Sequence, residues 1–286
     1  MRAAEMHDAL NRHLYHPLAA RLARLLLPTG VSPNAVSVAG MLAIWAAAWC
    51  YANLAWPGGA LLGFGLLLLW HILDGTDGDL ARLSGKASAT GELVDGLCDH
   101  VGQIVLYLVL ASILDDQLGG WAWALAVAAG ASHIVQSNHA ESQRRSYLWW
   151  AYGVPWLKQA QQGDDEVFRK RGWFSRAFAW GARDYLKVAK LMAPYAARLD
   201  AVVDQASGDP AQLDRIRDKV RRAWRRSLVL ERMLGANPRT IILGISMLAG
   251  SPLWFFLVEI LLHNALLVIS VWHHGAVGRR LVQELG

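Results

Sequence analysis

Long apolar segments separated by shorter polar ones dominate this chain of 286 residues. An α-helix of about 20 apolar residues matches the hydrocarbon thickness of a bilayer. The pattern predicts six membrane-spanning helices, at about 34–54, 59–80, 93–114, 119–140, 238–250 and 252–273. The fifth is short, and Gly250, Ser251 and Pro252 predict a tight turn before the sixth. The predicted fold class is therefore all-α, in a polytopic membrane protein.

The first 30 residues show a different periodicity. Leucines recur at helical spacing from Leu10 to Leu25, with arginines on the other faces. This pattern is typical of an amphipathic helix that lies at the membrane interface. Pro28 to Gly30 predict its end, and Ser32 followed by Pro33 predicts the capped start of the first span.

Residues 146–234 are too polar to span and predict a basic helical insert between the fourth and fifth helices. From Arg144 to Arg232 there are 19 Lys and Arg against 10 Asp and Glu. Apolar residues recur at helical spacing before and after a turn that contains Asp209 and Pro210, which predicts a helical hairpin. The apolar positions are Phe174, Phe178, Tyr185, Val188, Met192 and Tyr195, then Leu213, Ile216, Val220 and Ala223. Its basic surface is either a solvated face or a binding surface for anionic lipid or polyphosphate.

The positions of the basic residues predict the orientation of the chain. With six spans, all 28 Lys and Arg fall on one side, while the opposite loops carry only Asp115 and Asp116. By the positive-inside rule both termini and the insert are cytoplasmic, in a cell (inner) membrane. The predicted domains are the interfacial helix 1–30, helices 1–4 at 31–145, the insert 146–234, and helices 5–6 with the tail at 235–286.

Composition agrees with a membrane protein and excludes several classes of site. Hydrophobic residues make up 54% of the chain, which includes 14 Trp. Its two cysteines, Cys50 and Cys98, lie in apolar segments, so neither a disulfide framework nor a cysteine zinc site is expected. The chain has no GxxxxGK[ST] or GxGxxG loop, and we expect no nucleic-acid partner.

One polar stretch, Leu73–Asp99, interrupts the apolar pattern at the end of the second span and the start of the third. It carries Asp74 and Asp77 at a spacing of three and Asp95 and Asp99 at a spacing of four, so each pair shares a helix face. A charge at the centre of a spanning helix costs roughly 2.5 to 3.5 kcal/mol on insertion scales. Carboxylates without nearby Cys or His ligands favour Mg²⁺ or Mn²⁺ over zinc. The spacing therefore predicts a divalent-cation site.

Small residues and one arginine surround these acids. Gly78, Ala81 and Gly91 leave room for a bulky ligand near the backbone, and Arg82 carries a guanidinium suited to phosphate. Together with a metal, they point to a nucleotide diphosphate. An EF-hand is excluded because Asp79 and Gly85 stand where it needs Gly and an acid. A divalent-cation transporter is the alternative from another class, although it would not need these small residues and the arginine.

The eight motif positions together form the pattern D-x2-D-G-x2-A-R-x8-G-x3-D-x3-D. This pattern resembles the signature of the CDP-alcohol phosphotransferases, as do the interfacial helix and the six-span layout. The resemblance implies a metal-dependent transfer of a substituted phosphate from a CDP-alcohol to an acceptor alcohol, with release of CMP, in phospholipid biosynthesis. It also implies a homodimer.

The resemblance assigns roles to individual residues. It implies that Asp74, Asp77, Asp95 and Asp99 hold two Mg²⁺ or Mn²⁺ ions, that Asp95 is catalytic, and that Asp99 is the general base. The CDP moiety is expected to bind at a set of motif residues, namely Asp77, Gly78, Ala81, Arg82 and Gly91.

Donor and acceptor remain open at the level of sequence. Most bacterial-type members of the family use CDP-diacylglycerol, which we take as the donor. However, the segment GELVDGLCD, which contains Glu92 and Cys98, resembles the corresponding segment of the aminoalcohol phosphotransferases. Those enzymes use CDP-choline or CDP-ethanolamine as donor and a lipid alcohol as acceptor. A CDP-polyol donor is a further alternative.

Four residues are candidates on the acceptor side: Glu92, Asn138, His139 and Arg144. Glu92 is equally explained as an acid at the positive end of the third helix. The polar end of the fourth span, which carries the other three, is equally explained as its exit into water.

Overall fold

The computed structural model describes residues 4–6, 8–154 and 191–285, which form helices and connecting turns without a β-strand. In chain order, the α-helices of these residues are α1 (His16–Leu26), α2 (Pro33–Asn53), α3 (Gly58–Leu83), α4 (Ala89–Leu118), α5 (Trp121–Tyr152), α6 (Ala196–Gln205), α7 (Pro210–Trp224), α8 (Leu228–Met233), α9 (Ala236–Leu248), α10 (Leu253–Leu257) and α11 (His263–Leu285). Two π-helical segments, Asn11–Tyr15 and Val258–Leu262, directly precede α1 and α11. The predicted all-α class is confirmed.

Two predicted helix starts show the local chemistry that the sequence indicates. The Ser32 side chain accepts a hydrogen bond from the Ala35 amide, and Pro33 is the first residue of α2. Asp209 likewise accepts from the amides of residues 211 and 212, and Pro210 begins α7. Each cap satisfies amide groups that the first helical turn leaves without partners, and both predictions are confirmed.

Among the described residues, four segments are long and apolar enough to cross a membrane: Pro33–Asn53, Gly58–Leu83, Thr90–Leu118 and Leu253–Leu285. They agree with the first, second, third and sixth predicted spans, and the protein is integral to a membrane. Helix α9 has 13 residues, about 20 Å at 1.5 Å per residue, which is shorter than the roughly 30 Å hydrocarbon core. Helix α5 becomes polar from Ser132 onward. The six-span count therefore stays a prediction.

The chain folds into two compact units, which we describe separately. The motif unit comprises His7–Ser132 and Ala236–Leu261, and the basic unit comprises Met1–Met6, His133–Gly235 and Leu262–Gly286. Helix α5 contributes to both units.

In the motif unit, α2 packs against both α3 and α4, and α3 also packs against α1 and α9. The core is filled by apolar side chains from α2, α3, α4 and α10, among them Ile44, Leu67, Leu110 and Phe256. Because α2 contacts both motif-bearing helices, it fixes their relative position within this unit.

The environment of Arg239, near the start of α9, differs from the one that the charge distribution predicts. The sequence pattern places it with the cytoplasmic basic residues, but its side chain is only 4% exposed. Its Nη1 donates to Glu259 Oε2 at 3.0 Å, and Glu259 is fully buried. Burial among apolar helices explains the difference, because a buried guanidinium requires an acidic partner.

In the basic unit, aromatic side chains form much of the core. Tyr147, Trp150, Tyr195 and Trp224 are all buried there, and Trp150 Nε1 donates to Asp200 Oδ1 at 2.8 Å. The second helix of the predicted hairpin is α7. Of the apolar positions predicted before the turn, 174, 178, 185 and 188 lie outside the described residues. The hairpin and its cytoplasmic side therefore stay predictions.

Candidate active site

Three acidic side chains of the motif unit meet between two helices. Asp74 lies on α3, whereas Asp95 and Asp99 lie one turn apart on α4. One carboxylate oxygen from each lies within 4.8 Å of the others. The structure thus brings together three of the four aspartates that were predicted to bind metal.

Electrostatics favours a compensating positive charge at this cluster. Two like charges 4 Å apart repel by about 1 kcal/mol in water and about 4 kcal/mol at an effective dielectric constant of 20. Asp95 and Asp99 are also half-buried, which reduces their solvation. The donor set contains only carboxylate oxygens, which suits a hard cation such as Mg²⁺ or Mn²⁺. The residues present therefore fit a divalent metal.

Asp77 has different partners from these three acids. It is buried, and its Oδ2 accepts a hydrogen bond from Ser37 Oγ on α2 at 2.6 Å. Its carboxyl group also interacts electrostatically with that of Asp95. Asp77 thus connects the cluster to α2, and its role as a metal or CDP ligand stays a prediction.

A tryptophan holds the last aspartate of the motif. Trp70 Nε1 on α3 donates to Asp99 Oδ1 at 2.9 Å, which leaves the other carboxylate oxygen for a different partner. Sequence analysis missed both Trp70 and Ser37. Trp70 precedes Asp74 by one helical turn on the same face and could have been found from that spacing, whereas Ser37 lies on another helix and has no such signal.

Arg82 lies one turn after Gly78 at the exposed end of α3. Its side chain is 58% exposed, and Nη2 forms an ion pair with Asp79 Oδ1 at 2.7 Å. Carbon Cζ of the guanidinium lies 3.8 Å from the point where a Cβ on Gly78 would stand. An exposed ion pair contributes at most about 1 kcal/mol, so a phosphate group can compete with Asp79 for this guanidinium. Ala81, next to Arg82, is half-buried.

The start of α4 gives structural reasons for Gly91 and Glu92. Ser88 Oγ accepts from the Gly91 amide at 3.1 Å, and a Cβ on Gly91 would lie 3.3 Å from this oxygen. Glu92 is exposed in the first turn of the helix, where the helix dipole favours an acid. Their predicted contacts with CDP and acceptor stay predictions.

Helix α1 covers the motif at the backbone of α3. A Cβ on Gly75 would lie 3.0 Å from the Cβ of Ala19, so only glycine allows this approach without displacement. Thr76 Oγ1 also lies 3.5 Å from the Ala19 carbonyl oxygen. The amphipathic N-terminal helix therefore packs against α3 at the two residues that follow Asp74.

The other three acceptor-side candidates belong to the basic unit. His139 is 1% exposed, and its Nε2 lies 2.9 Å from Ser270 Oγ. Arg144 donates from Nε and Nη2 to the two carboxylate oxygens of Glu141, each at 2.6 Å. Asn138 is half-buried. Their roles toward an acceptor stay predictions.

Comparison with known proteins bears on the region that holds the acidic cluster. Residues 30–148 match the family model described as CDP-alcohol phosphatidyltransferase. A search of curated proteins finds no match to the chain. The matched region contains the complete eight-position motif, including the three acids that meet in space. The family match over residues 30–148 therefore confirms the resemblance to the CDP-alcohol phosphotransferases that the motif indicates.

Proposed function

We propose that the protein transfers a substituted phosphate group from a CDP-alcohol to an acceptor alcohol and releases CMP, as a step of phospholipid biosynthesis. The observation that carries this proposal is the meeting of Asp74, Asp95 and Asp99 inside the region that matches the family. A general cation site would need the acids but not the rest of the motif.

Metal ions belong to the proposed mechanism because the cluster fits them. Asp74, Asp95 and Asp99 would hold Mg²⁺ or Mn²⁺, and with Asp77 the acids could bind two ions. A bound metal would neutralise the negative charge that develops on the attacked phosphate and on the leaving CMP.

The side chains of the motif divide the remaining work. Arg82 binds the diphosphate, and the cytidine lies against Gly78, Ala81 and Gly91. The acceptor hydroxyl oxygen forms a bond to the phosphorus that carries the donor alcohol, while the bond from that phosphorus to the bridging oxygen breaks. CMP leaves with that electron pair, and Asp99 takes the hydroxyl proton as general base. Trp70, which donates to Asp99 Oδ1, orients this carboxylate.

CDP-diacylglycerol is the donor that we propose, with a small polar alcohol as acceptor. The alternative is a CDP-aminoalcohol or CDP-polyol donor with a lipid alcohol, which Glu92 and Cys98 favour through their pattern. In the structure Glu92 is exposed and Cys98 is buried. Either arrangement joins one lipid and one soluble substrate, for which a cluster on α3, the helix that packs against the amphipathic α1, is suited.

The cellular setting is proposed from the positions of the charged residues. The active site and both termini face the cytoplasm, and the protein resides in the inner membrane as a homodimer. The positive-inside distribution of Lys and Arg supports the orientation, and family resemblance supports the dimer.

Metal removal and substrate screening test the proposed reaction together. Purified protein, stripped with EDTA, is incubated with CDP-diacylglycerol, CDP-choline, CDP-ethanolamine or a CDP-polyol, each paired with candidate alcohols. We expect CMP release only when Mg²⁺ or Mn²⁺ is restored, because an uncompensated acidic cluster repels a diphosphate. The measurement is CMP formed over time.

Each outcome of this screen distinguishes the alternatives. Reaction with CDP-aminoalcohols alone would show that the proposed donor is wrong. Absence of CMP across all pairs, combined with divalent-cation uptake by liposomes that contain the protein, would favour a cation transporter instead.

Substitution of Trp70 tests whether this residue positions Asp99. Trp70→Phe keeps an aromatic ring but removes the N–H that donates to the carboxylate. Hydrogen bonds to charged groups contribute about 1.5–3 kcal/mol, so we expect a loss of roughly tenfold or more in CMP release. The matched control is Trp49→Phe, at a 57% exposed position on α2.

A purely structural role for Trp70 would give a different result. If Trp70→Phe lowers thermal stability while kcat per folded molecule is unchanged, Trp70 supports the core and does not position Asp99. The half-saturating Mg²⁺ concentration provides a second readout, and we expect it to rise in Trp70→Phe but not in the control.

A further inference from the structure

The basic unit contains a cavity between α7 and α11. Its volume is about 440 Å³. Lys219 and Arg222 from α7 and Arg280 from α11 line it, together with one acid, Glu284. The formal charge of these four side chains is therefore +2.

These cations are available for an anionic ligand. Arg222 and Arg280 are exposed, and neither forms an ion pair with a residue that the structure describes. Lys219 Nζ makes one long contact, at 3.5 Å, with the backbone oxygen of Glu284. Lys219 and Arg222 are three residues apart on one helix face, where like charges disfavour each other. A bound anion would relieve this repulsion.

The remaining wall of the cavity is apolar. This wall consists of the side chains of Ala223, Val277 and Leu281. Of these, Leu281 is only 3% exposed. An inorganic anion would gain nothing from this surface. A ligand with a phosphate and an adjoining hydrocarbon part would contact both the cations and the apolar wall.

Two further observations indicate a membrane surface nearby. Arg215, four residues before Lys219 on α7, is exposed and extends the cationic face, and Arg226 is exposed in the turn that follows α7. On α11, Trp272 is 71% exposed, and an exposed tryptophan on a spanning segment is typical of the membrane interface. Arg280 follows Trp272 by eight residues, or about 12 Å along the helix.

We propose that the cavity between α7 and α11 binds the phosphate headgroup of an anionic phospholipid. Lys219, Arg222 and Arg280 contact the phosphate, and Ala223, Val277 and Leu281 contact the hydrocarbon next to it. The site is separate from the CDP-alcohol motif and does not depend on the proposed function. Basic residues near an anionic bilayer contribute about 1 kcal/mol each, so the site would also hold α7 at the membrane.

The test measures lipid binding by purified full-length protein in a neutral detergent. Native mass spectrometry counts the molecules of dioctanoyl phosphatidic acid bound as its concentration rises. Parallel titrations use dioctanoyl phosphatidylcholine, which has no net charge, and inorganic phosphate, which has no hydrocarbon. We expect saturable binding of phosphatidic acid, at least tenfold tighter than that of either other probe.

Paired variants locate the binding at the cavity. The double variant Arg222→Gln/Arg280→Gln removes two cavity charges and should weaken phosphatidic acid binding at least tenfold. The matched double variant Arg215→Gln/Arg226→Gln removes two exposed charges outside the cavity and should stay within about twofold of the unmodified protein. Ala223→Leu fills the apolar wall without changing charge, and it should also weaken binding.

Three results would overturn the lipid site: equal weakening in both double variants, equal affinity for inorganic phosphate, or no saturable binding. CMP release is measured on the same preparations. A protein that binds phosphatidic acid in this way but releases no CMP would contradict the proposed function and support the lipid site.

Discussion

Asp95→Asn is expected to abolish metal-dependent CMP release while leaving the protein folded. Asparagine keeps the shape of the side chain but removes one of the three charges that meet within 4.8 Å. Metal stabilisation of a transition state is worth several kcal/mol, so the loss should be at least about 100-fold. CMP release in the presence of saturating Mg²⁺ or Mn²⁺ measures it.

Thermal unfolding distinguishes a lost metal ligand from a damaged fold. A ligand that binds only the folded state raises the melting temperature, so Mg²⁺ should stabilise the unmodified protein and stabilise Asp95→Asn much less. Without metal, the variant should be at least as stable as the unmodified protein, because one like-charge repulsion is removed. Asp116→Asn, an exposed position at the other end of α4, is the matched control and should retain activity and metal response. An active Asp95→Asn with normal metal dependence would falsify the proposed site.

Local signals along the chain were sufficient to predict much of the site. The spacing of Asp95 and Asp99 places both on one face of α4, and the structure shows both in the acidic cluster with Asp74. The Ser32 and Asp209 caps were predicted from residues within one turn of each helix start. These predictions depend on interactions between near neighbours in sequence, which helical geometry fixes.

Contacts between distant segments could not be predicted in the same way. Asp77 shares its helix face with Asp74, yet it is not one of the three acids whose oxygens meet within 4.8 Å, and its Oδ2 accepts a hydrogen bond from Ser37 on α2. Its partner depends on how α2 packs against α3, which no spacing within Leu73–Asp99 encodes. The contact between Trp70 and Asp99 likewise depends on the relative position of α3 and α4.

The predicted spans show where hydropathy alone is insufficient. Four agree with apolar helices of the structure, whereas α9 is short and α5 turns polar before its end. Arg239 illustrates the difficulty, because in sequence it resembles a flanking cytoplasmic charge but in the structure it is buried against Glu259. Its partner lies 20 residues away on a π-helical segment, a geometry that redirects side chains and that no simple periodicity predicts.

The second large effect is expected from breaking this buried pair. Glu259→Gln preserves size but leaves Arg239, at 4% exposure, without its charged partner. Removing one member of a buried ion pair typically destabilises a protein, so we expect the free energy of unfolding to fall by about 3–5 kcal/mol. Unfolding in a fixed detergent, followed by intrinsic tryptophan fluorescence, measures the change. Glu284→Gln, at an exposed position, should change it by less than about 0.5 kcal/mol.

A double substitution separates the cost of an unpaired charge from the value of the pair itself. Arg239→Met/Glu259→Leu replaces both charges with apolar side chains of similar volume, which is often neutral or stabilising in a buried site. We therefore expect the double variant to be more stable than Glu259→Gln, with a coupling energy of about 0.5–3 kcal/mol between the two positions. If the double variant is instead less stable than Glu259→Gln and the effects of the two substitutions are additive, then desolvation of the Arg239 charge does not cause the stability loss in Glu259→Gln.

Intramembrane ionisable residues commonly serve function, so CMP release per folded molecule is measured as well. A double variant that is stable but inactive would show that the pair also supports the position of α3, against which α9 packs.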